Sequence, residues 1–269
     1  MQMIDVPDGG RLQYEIAGEG PVVTFIHPGL WDMRTWDREF AAFSDAGYRV
    51  LRYDVRGYGG SSRPEPGVSY SHVRDLQALL EVEEVTQTSI VGCSMGGGID
   101  LDYALEHPDR VWGLVLVASG LGGFESTEEE DDWWAERDAP IEAAIEAGDL
   151  ERAQDLRLEI WAPLGTSDER GARIREIAFD NLHELTMDES GAERLDPPAA
   201  HRLGEIDVPT LILEAEHDPP DMKRVNDFLA REIMGSRKVV VEGSDHVVNL
   251  RQPERFEELV RPFLAEAAP

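Results

Sequence analysis

The chain of 269 residues carries 25 basic and 55 acidic side chains, so its formal net charge at pH 7 is −30. This balance argues against a nucleic-acid-binding protein and against a protein that docks on anionic lipid, because both need a basic face. There is no apolar run of the roughly 20 residues that cross a bilayer and no start typical of a secretory signal, and the single cysteine, Cys93, leaves no internal disulfide or cysteine-based zinc site. We therefore expect a cytoplasmic protein that acts on a small molecule, without a nucleic-acid or membrane partner.

Short apolar runs alternate with amphipathic segments over most of the chain. An alternating segment at 12–17 follows the turn Asp8-Gly9-Gly10 and predicts an N-terminal β-hairpin. Buried strands are predicted at 22–26, 48–53, 88–92, 111–118, 210–215 and 238–241. Helices are predicted between or after them at 71–83, 95–106, 221–234 and 253–266. Strands that alternate with helices indicate an α/β fold with a mostly parallel, doubly wound sheet.

Residues 121–205 interrupt this alternation. They contain no buried-strand run and show helical patterns at 127–147, 150–161 and 168–187. We therefore predict a core domain formed by 1–120 and 206–269, and a helical cap, or lid, inserted between them at 121–205.

The strongest local signal is the segment 92–96, Gly-Cys-Ser-Met-Gly, which fits the pattern G-x-S-x-G between a predicted strand and a predicted helix. A sharp turn there exposes the hydroxyl of Ser94 at the carboxyl edge of the sheet, and small residues on either side let strand and helix pass closely. The backbone N–H of Met95 and the positive potential of the helix N-terminus face the same point. We predict Ser94 as the nucleophile and Cys93 as a buried packing residue.

A serine hydroxyl needs a base, and the base needs an acid to orient it. Among seven histidines, His246 follows the last predicted strand, where its loop reaches the same sheet edge as Ser94. Asp218 follows the strand at 210–215, which gives the chain order Ser94, Asp218, His246 expected of an α/β-hydrolase triad. Asp221 and Asp245 are rivals for the acid, although helix capping and loop solvation are favoured for them. Four other histidines are interpreted as surface residues: His72, His107, His183 and His201.

The segment His27-Pro28-Gly29-Leu30 follows the strand at 22–26 and is placed to supply a second oxyanion donor. Gly29 lacks a Cβ and can approach a substrate closely, so we predict that its N–H acts together with the N–H of Met95. Leu30 is the alternative donor. We expect His27 to organise this loop rather than to act as a base.

With these residues in place, the chain resembles the α/β-hydrolase superfamily with a helical cap, in the branch of esterases, enol-lactonases and cofactor-free haloperoxidases. Beyond 92–96, the resemblance rests on further segments: 54–61 (DVRGYGGS), 106–111 (EHPDRV), 208–211 (VPTL) and 249–254 (NLRQPE). It implies Ser94 as nucleophile, His246 as base and Asp218 as acid. The chain departs from the family pattern at Pro28, where the oxyanion loop has glycine, and at Ala215. Serine as the nucleophile argues against haloalkane dehalogenases and epoxide hydrolases, which use aspartate.

We therefore expect a hydrolase of carboxylic esters of small, mainly apolar substrates, with no cofactor and no metal. Its substrate pocket is predicted to include Leu30, Trp31, Trp161 and Val247. Lactone hydrolysis, C–C bond hydrolysis, aminopeptidase action and perhydrolysis use the same triad and stay open. A ligand-binding receptor with little turnover is the alternative of another class, and a homodimer is left open.

Overall fold

One eight-stranded sheet forms the centre of the protein in the computed structural model, which describes residues 1–268. The strands are β1 (Gln2–Asp5), β2 (Arg11–Ala17), β3 (Val22–Ile26), β4 (Arg49–Tyr53), β5 (Thr88–Cys93), β6 (Val111–Val117), β7 (Thr210–Ala215) and β8 (Arg237–Val241). Their order in the sheet is β1-β2-β4-β3-β5-β6-β7-β8. The first two form the predicted hairpin, β2 is antiparallel to β4, and the remaining neighbours are parallel.

Helices cover both faces of this sheet. They are α1 (Asp37–Asp45), α2 (His72–Val82), α3 (Met95–Glu106), α4 (Glu128–Glu146), α5 (Leu150–Trp161), α6 (Glu169–Asp180), α7 (Pro220–Glu232), α8 (Val248–Arg251) and α9 (Pro253–Ala267). On one face, α1 and α9 bury Phe43 and Phe256; on the other, α2, α3 and α7 bury Leu76, Leu101 and Leu229. Every residue of β3, β5 and β7 is buried, which is why these strands read as continuous apolar runs. The doubly wound α/β prediction is confirmed.

Two short helices were not predicted from the sequence, α1 and α8. α1 has only nine residues, and α8 has four, so neither presents enough turns for a clear 3.6-residue period. No helix within residues 1–268 is both long and apolar enough to cross a membrane.

Three helices, α4 to α6, lie between β6 and β7 in the chain, where the cap is predicted. Thr127 caps α4 in a capping box with Glu130, whose side chain returns to the Thr127 N–H at 2.8 Å. Glu130 also pairs with Arg224 of α7 at 2.7 Å, which ties the start of α4 to the core. This acid is therefore buried and paired, although the run of acids around it is largely exposed.

The end of α6 is held to the core by one buried amide. Asn181 Nδ2 donates to Asp32 at 2.8 Å, and Asn181 Oδ1 accepts the backbone N–H of Gly59 at 2.8 Å. Next to it, Arg34 pairs with Asp180 at 2.8 Å. These contacts hold the end of α6 against the loops that follow β3 and β4.

Candidate active site

Ser94 lies at the turn between β5 and α3 with φ of 52° and ψ of −113°. A positive φ is uncommon for a residue with a side chain and costs on the order of 1–3 kcal/mol. Hydrogen bonds from both sides hold this conformation: Ser94 N–H donates to Val117 O at 2.9 Å, and Ser94 O accepts from Gly98 at 3.0 Å and Gly120 at 2.8 Å. Strain of this kind, kept in place by surrounding bonds, is typical of a functional site.

The two glycines of the G-x-S-x-G segment are required by close backbone contacts. A Cβ on Gly92 would lie 2.5 Å from the backbone of Gly96, and a Cβ on Gly96 would lie 2.3 Å from Ile26 O. No larger residue fits either position unless the backbone moves. The spacing of the motif thus follows from the crossing of α3 over β5 and β3.

His246 and Asp218 form a buried pair beyond the ends of β7 and β8. His246 Nδ1 donates to Asp218 Oδ1 at 2.8 Å, and the two side chains are 3% and 0% exposed. The two rival acids lie elsewhere: Asp221 is in the first turn of α7, and Asp245 accepts two hydrogen bonds from Arg251 at 2.8 and 3.0 Å. Asp245 was expected to be solvated, but it is fully buried because this arginine neutralises it.

Cys93 connects the base to the nucleophile turn. Its thiol donates to the backbone carbonyl of His246 at 3.4 Å, so the backbone of the histidine lies against the residue that precedes Ser94. Cys93 is fully buried, and this burial raises the pKa of its thiol, which agrees with a packing role. Within residues 1–268, no hydrogen bond joins the Ser94 hydroxyl to the His246 ring, so this contact stays a prediction.

His27 organises the loop after β3, as predicted. Its Nε2 accepts the backbone N–H of Val55 at 2.9 Å, and therefore its Nδ1 carries the proton that is donated to Pro28 O at 2.8 Å. Burial lowers the pKa of His27 to about 4, which keeps the ring neutral. Leu30, at the end of this loop, has a φ of 70°, which is strained for a residue with a side chain. The loop that contains Gly29 is therefore held in a strained shape beside α3.

The four predicted pocket residues lie where α5 and α6 pack on the loops of the core. Leu30, Trp31 and Val247 are buried in one apolar cluster with side chains of α5 and α6, and Trp31 Nε1 donates to Ile174 O at 2.9 Å. Trp161, at the end of α5, places its ring centroid 4.3 Å from that of His246. Trp161 is therefore the pocket candidate in direct contact with a predicted catalytic side chain, whereas Trp31 helps to hold the cap.

Several residues near the site were missed or misjudged from the sequence. The Tyr58 hydroxyl lies 3.6 Å from the point where a Cβ on Gly29 would stand, so it borders the predicted oxyanion loop. His72 was expected at the surface but is half-buried, because its ring packs on Tyr70 with centroids 5.3 Å apart. His183 is also half-buried, and its Nε2 bonds Gly57 O at 2.9 Å. The contacts of Tyr58 and His183 join distant parts of the chain, so no local pattern marks them.

Comparison with known proteins decides the family. Residues 25–259 match the alpha/beta hydrolase family, which is most of the chain. The chain belongs to the alpha/beta hydrolase family. The expected fold and resemblance are thereby confirmed, and membership of a family of hydrolases supports hydrolytic activity. Within residues 1–268 no group of three or more histidine, cysteine or acidic side chains is arranged to hold a metal ion.

Relatives of this hydrolase include proteins with different activities. A putative 2-succinyl-6-hydroxy-2,4-cyclohexadiene-1-carboxylate synthase of Bacillus subtilis (strain 168) is 26% identical, over 97% of both chains. The structure of Est816, titled an N-acyl homoserine lactone degrading enzyme, is 27% identical with a TM-score of 0.73, covering 97% of this chain and 100% of that one. A thermophilic esterase from Thermogutta terrifontis has a TM-score of 0.80 at 23% identity over 100% of both chains, which shows the shared fold.

Proposed function

We propose that this protein is a serine hydrolase that cleaves carboxylic esters of small, mainly apolar substrates through an acyl-enzyme on Ser94. Ser94 Oγ attacks the acyl carbonyl while His246 Nε2 takes its proton. His246 then protonates the leaving alcohol, and a water molecule repeats the sequence on the acyl-enzyme. Asp218 holds the imidazole in the tautomer that leaves Nε2 free. The scheme uses no cofactor and no metal.

The observation that carries this proposal is the buried hydrogen bond of 2.8 Å between His246 Nδ1 and Asp218. It supports the required tautomer, because a proton on Nδ1 leaves Nε2 as the acceptor. The hydrogen bond from Cys93 to His246 O supports a position of the His246–Asp218 pair close to the nucleophile turn. Hydrogen bonds between nucleophile and base are often long before a substrate binds, so the Ser94–His246 bond is expected in the substrate complex.

The developing oxyanion would be held by the N–H groups of Met95 and Gly29. The Met95 N–H begins α3, where the helix adds positive potential. The close approach of Gly96 to Ile26 and His27 supports this pairing, because it sets the start of α3 beside the loop that contains Gly29. In comparable sites one such donor lowers the activation barrier by about 2.7–4 kcal/mol.

A lactone is a second candidate substrate. Its ring contains an ester whose leaving alcohol stays attached, so the same steps would open it. The lactone-degrading activity named for Est816, which matches 97% of this chain, favours this candidate. C–C bond hydrolysis, aminopeptidase action and perhydrolysis can be tested with the same substrate panel.

The nucleophile is tested with the Ser94→Ala variant. Hydrolysis of 4-nitrophenyl butyrate should fall about 10⁴-fold or to background, because the other groups of a triad act through the nucleophile. Turnover is measured by nitrophenolate release, and labelling by a fluorophosphonate probe should disappear in parallel. Ser126→Ala, which changes an exposed serine at the start of the cap, is the control and should label normally. Wild-type turnover in Ser94→Ala would refute the assignment, and a wild-type protein that neither labels nor hydrolyses would support the receptor alternative.

A further inference from the structure

A cavity of about 250 Å³ lies directly beside the nucleophile turn. Met95, Gly98 and Ile99 of α3 form one wall, and Leu195 and Pro198 of the segment that returns from the cap form the opposite wall. We propose that this cavity binds the acyl part of the substrate, and that the acyl group is a neutral chain with a hydroxyl or oxo substituent. This inference rests on the proposed function, because it states which part of the ester, the acyl part, lies in the cavity when Ser94 attacks.

The cavity is connected to the nucleophile turn through Met95, the residue after Ser94, which lines it. Gly98 N–H donates to Ser94 O at 3.0 Å, and Met95 supplies the predicted oxyanion donor. A carbonyl whose oxygen lies at the Met95 N–H can therefore direct its chain along the first turn of α3. Gly98 leaves this path open, since a Cβ there would meet only Gly120, at 3.7 Å.

His72 is the histidine that lines the cavity. Its ring lines this cavity and also an adjoining one of about 340 Å³, so it stands at the junction of the two. The Nδ1 atom is inaccessible to solvent and has no hydrogen-bond partner within residues 1–268. Burial lowers the pKa of His72 to about 4, so the ring is neutral and offers one donor and one acceptor nitrogen. Nδ1 is closed to solvent, so Nε2 is the ring nitrogen that a hydroxyl or oxo group of the ligand would contact.

The charges around the cavity favour a neutral chain. The acids Asp102, Glu189 and Glu193 line it, with Arg194 as the lining cation. An acyl group that carries a second carboxylate would be repelled by this net negative wall. The ligand class is therefore a neutral hydroxyacyl or oxoacyl group rather than a dicarboxylate.

The acyl position is tested by filling the cavity at Gly98. The kcat/KM values for 4-nitrophenyl acetate and hexanoate are measured for the wild type, Gly98→Val and Gly204→Ala. The hexanoate-to-acetate ratio should fall about tenfold or more in Gly98→Val and stay unchanged in Gly204→Ala, where a Cβ meets nothing within 4 Å. Should Gly98→Val fail to fold, as judged by circular dichroism, Gly98→Ala is used and a smaller fall is expected. An unchanged ratio in a folded variant would overturn the assignment.

The polar end is tested with His72→Phe, which keeps a ring and removes both nitrogens. Matched 4-nitrophenyl esters of hexanoic and 5-oxohexanoic acid are compared, because the oxo ester has no hydroxyl that could displace nitrophenolate on its own. The preference of the wild type for the oxo ester should fall about tenfold in His72→Phe. Equal preference in both proteins would overturn the role of His72.

A binding experiment separates this inference from the proposed function. Hexanamide, which cannot acylate the mutant, is titrated by calorimetry into Ser94→Ala and into Ser94→Ala with Gly98→Val. Binding by the first and loss of at least about tenfold affinity in the second supports the cavity even if no ester is hydrolysed. Ester hydrolysis that depends on Ser94, combined with an unchanged chain-length ratio, would retain the proposed function and discard the cavity.

Discussion

At the scale of single residues, Asp100 is an unusual feature of α3. It lies six residues after Ser94, is fully buried, and neither carboxyl oxygen has a hydrogen-bond partner within residues 1–268. Its Oδ2 is 2.3 Å from the position that a Cβ on Gly92 would take, so the carboxyl fills the space behind the nucleophile turn. Burial raises its pKa well above the ordinary value, because the charged form is poorly solvated there.

Asp100→Asn should therefore stabilise the protein increasingly as the pH rises. The folded state keeps the carboxyl proton to a pH at which the unfolded chain, with a pKa of about 3.9, has released it. The folded state thus binds more protons, and the free energy of unfolding of the wild type falls as the pH rises above about 4. The advantage of the variant should grow by up to about 1.4 kcal/mol per pH unit.

This difference is measured by urea unfolding at pH 5, 6.5 and 8. Asp132→Asn, which changes an exposed acid of α4, is the control and should shift the curve by the same small amount at each pH. Parallel stability curves for the wild type and Asp100→Asn would show that the buried carboxyl ionises without penalty.

At the scale of elements, the crossing of α3 over the sheet and the docking of the cap position the site. α3 meets β3 at Gly96, which brings the helix N-terminus against the backbone of Ile26 and His27. The predicted cap meets the core through Asn181 and through Trp31, each of which donates a side-chain hydrogen bond across the seam. The helix crossing thus depends on a short distance between backbones, whereas the seam depends on buried side chains.

Gly96→Ala should disturb the nucleophile turn. The added Cβ would stand 2.3 Å from Ile26 O and 2.9 Å from His27 O, and these backbone atoms cannot move without shifting β3 and the oxyanion loop. We expect a loss of about 1–3 kcal/mol in urea unfolding, together with a loss of ester turnover. Gly204→Ala is the matched control, and a Gly96→Ala variant as stable and active as the wild type would disprove this close contact.

Asn181→Ala should loosen the cap. The substitution removes the acceptor of the Gly59 N–H and one of the donors to the Asp32 carboxylate, which keeps its bond from Arg34 at 2.7 Å. Loss of a hydrogen bond to a charged group costs about 1–3 kcal/mol. Relative to the wild type, amide hydrogen exchange should accelerate in α6 and stay nearly unchanged in α9. Asp180→Asn removes only a largely exposed contact to Arg34 and should cost less than about 1 kcal/mol. Unchanged exchange in α6 would show that the cap is held by its apolar contacts alone.

At the scale of the whole molecule, charge is the dominant feature. The 25 basic side chains cannot neutralise 55 acids, so 30 acids remain in excess even if every base is paired. Some basic side chains pair with two acids each: Arg52 contacts both Glu15 and Asp37, and Lys238 contacts both Glu214 and Asp227. The remaining excess repels itself and opposes the compact state.

Salt should therefore raise the melting temperature. The Debye length falls from about 30 Å at 0.01 M to about 10 Å at 0.1 M, so most screening of the excess charge is complete by about 0.3 M NaCl. We expect a rise of several degrees over this range, at about 2–4 °C per kcal/mol. Calorimetry from 0.01 to 2 M NaCl measures it.

The shape of this salt curve distinguishes two origins of the acidic surface. A plateau near 0.3 M indicates simple screening in an ordinary acidic enzyme, whereas a continued gain to molar salt indicates adaptation to high salt. A melting temperature that falls over the first 0.3 M would mean that attractive ion pairs outweigh the net repulsion.

The sequence itself determines the strands, the main helices and the chain order of the predicted nucleophile, acid and base. β3, β5 and β7 are mostly apolar because both of their faces are covered, and this property is visible in any short window. The turn at Ser94 is partly local: Gly92 is required by contact with Gly96 within one strand–turn–helix unit, whereas Gly96 is required by contact with Ile26 of β3. The α/β hydrolase fold could therefore be predicted from the residues alone.

Only the tertiary structure decided which acid faces the base and how the cap is attached. The three candidate acids have the same side chain: Asp218, Asp221 and Asp245. The path of the loops after β7 and β8 places Asp218 against His246 and Asp245 against Arg251. The docking role of Asn181 and the half-buried state of His72 had no sequence signal. Local periodicity reports which face of an element is buried, but a hydrogen bond between residues 149 positions apart, such as that from Asn181 to Asp32, depends on the route of the whole chain.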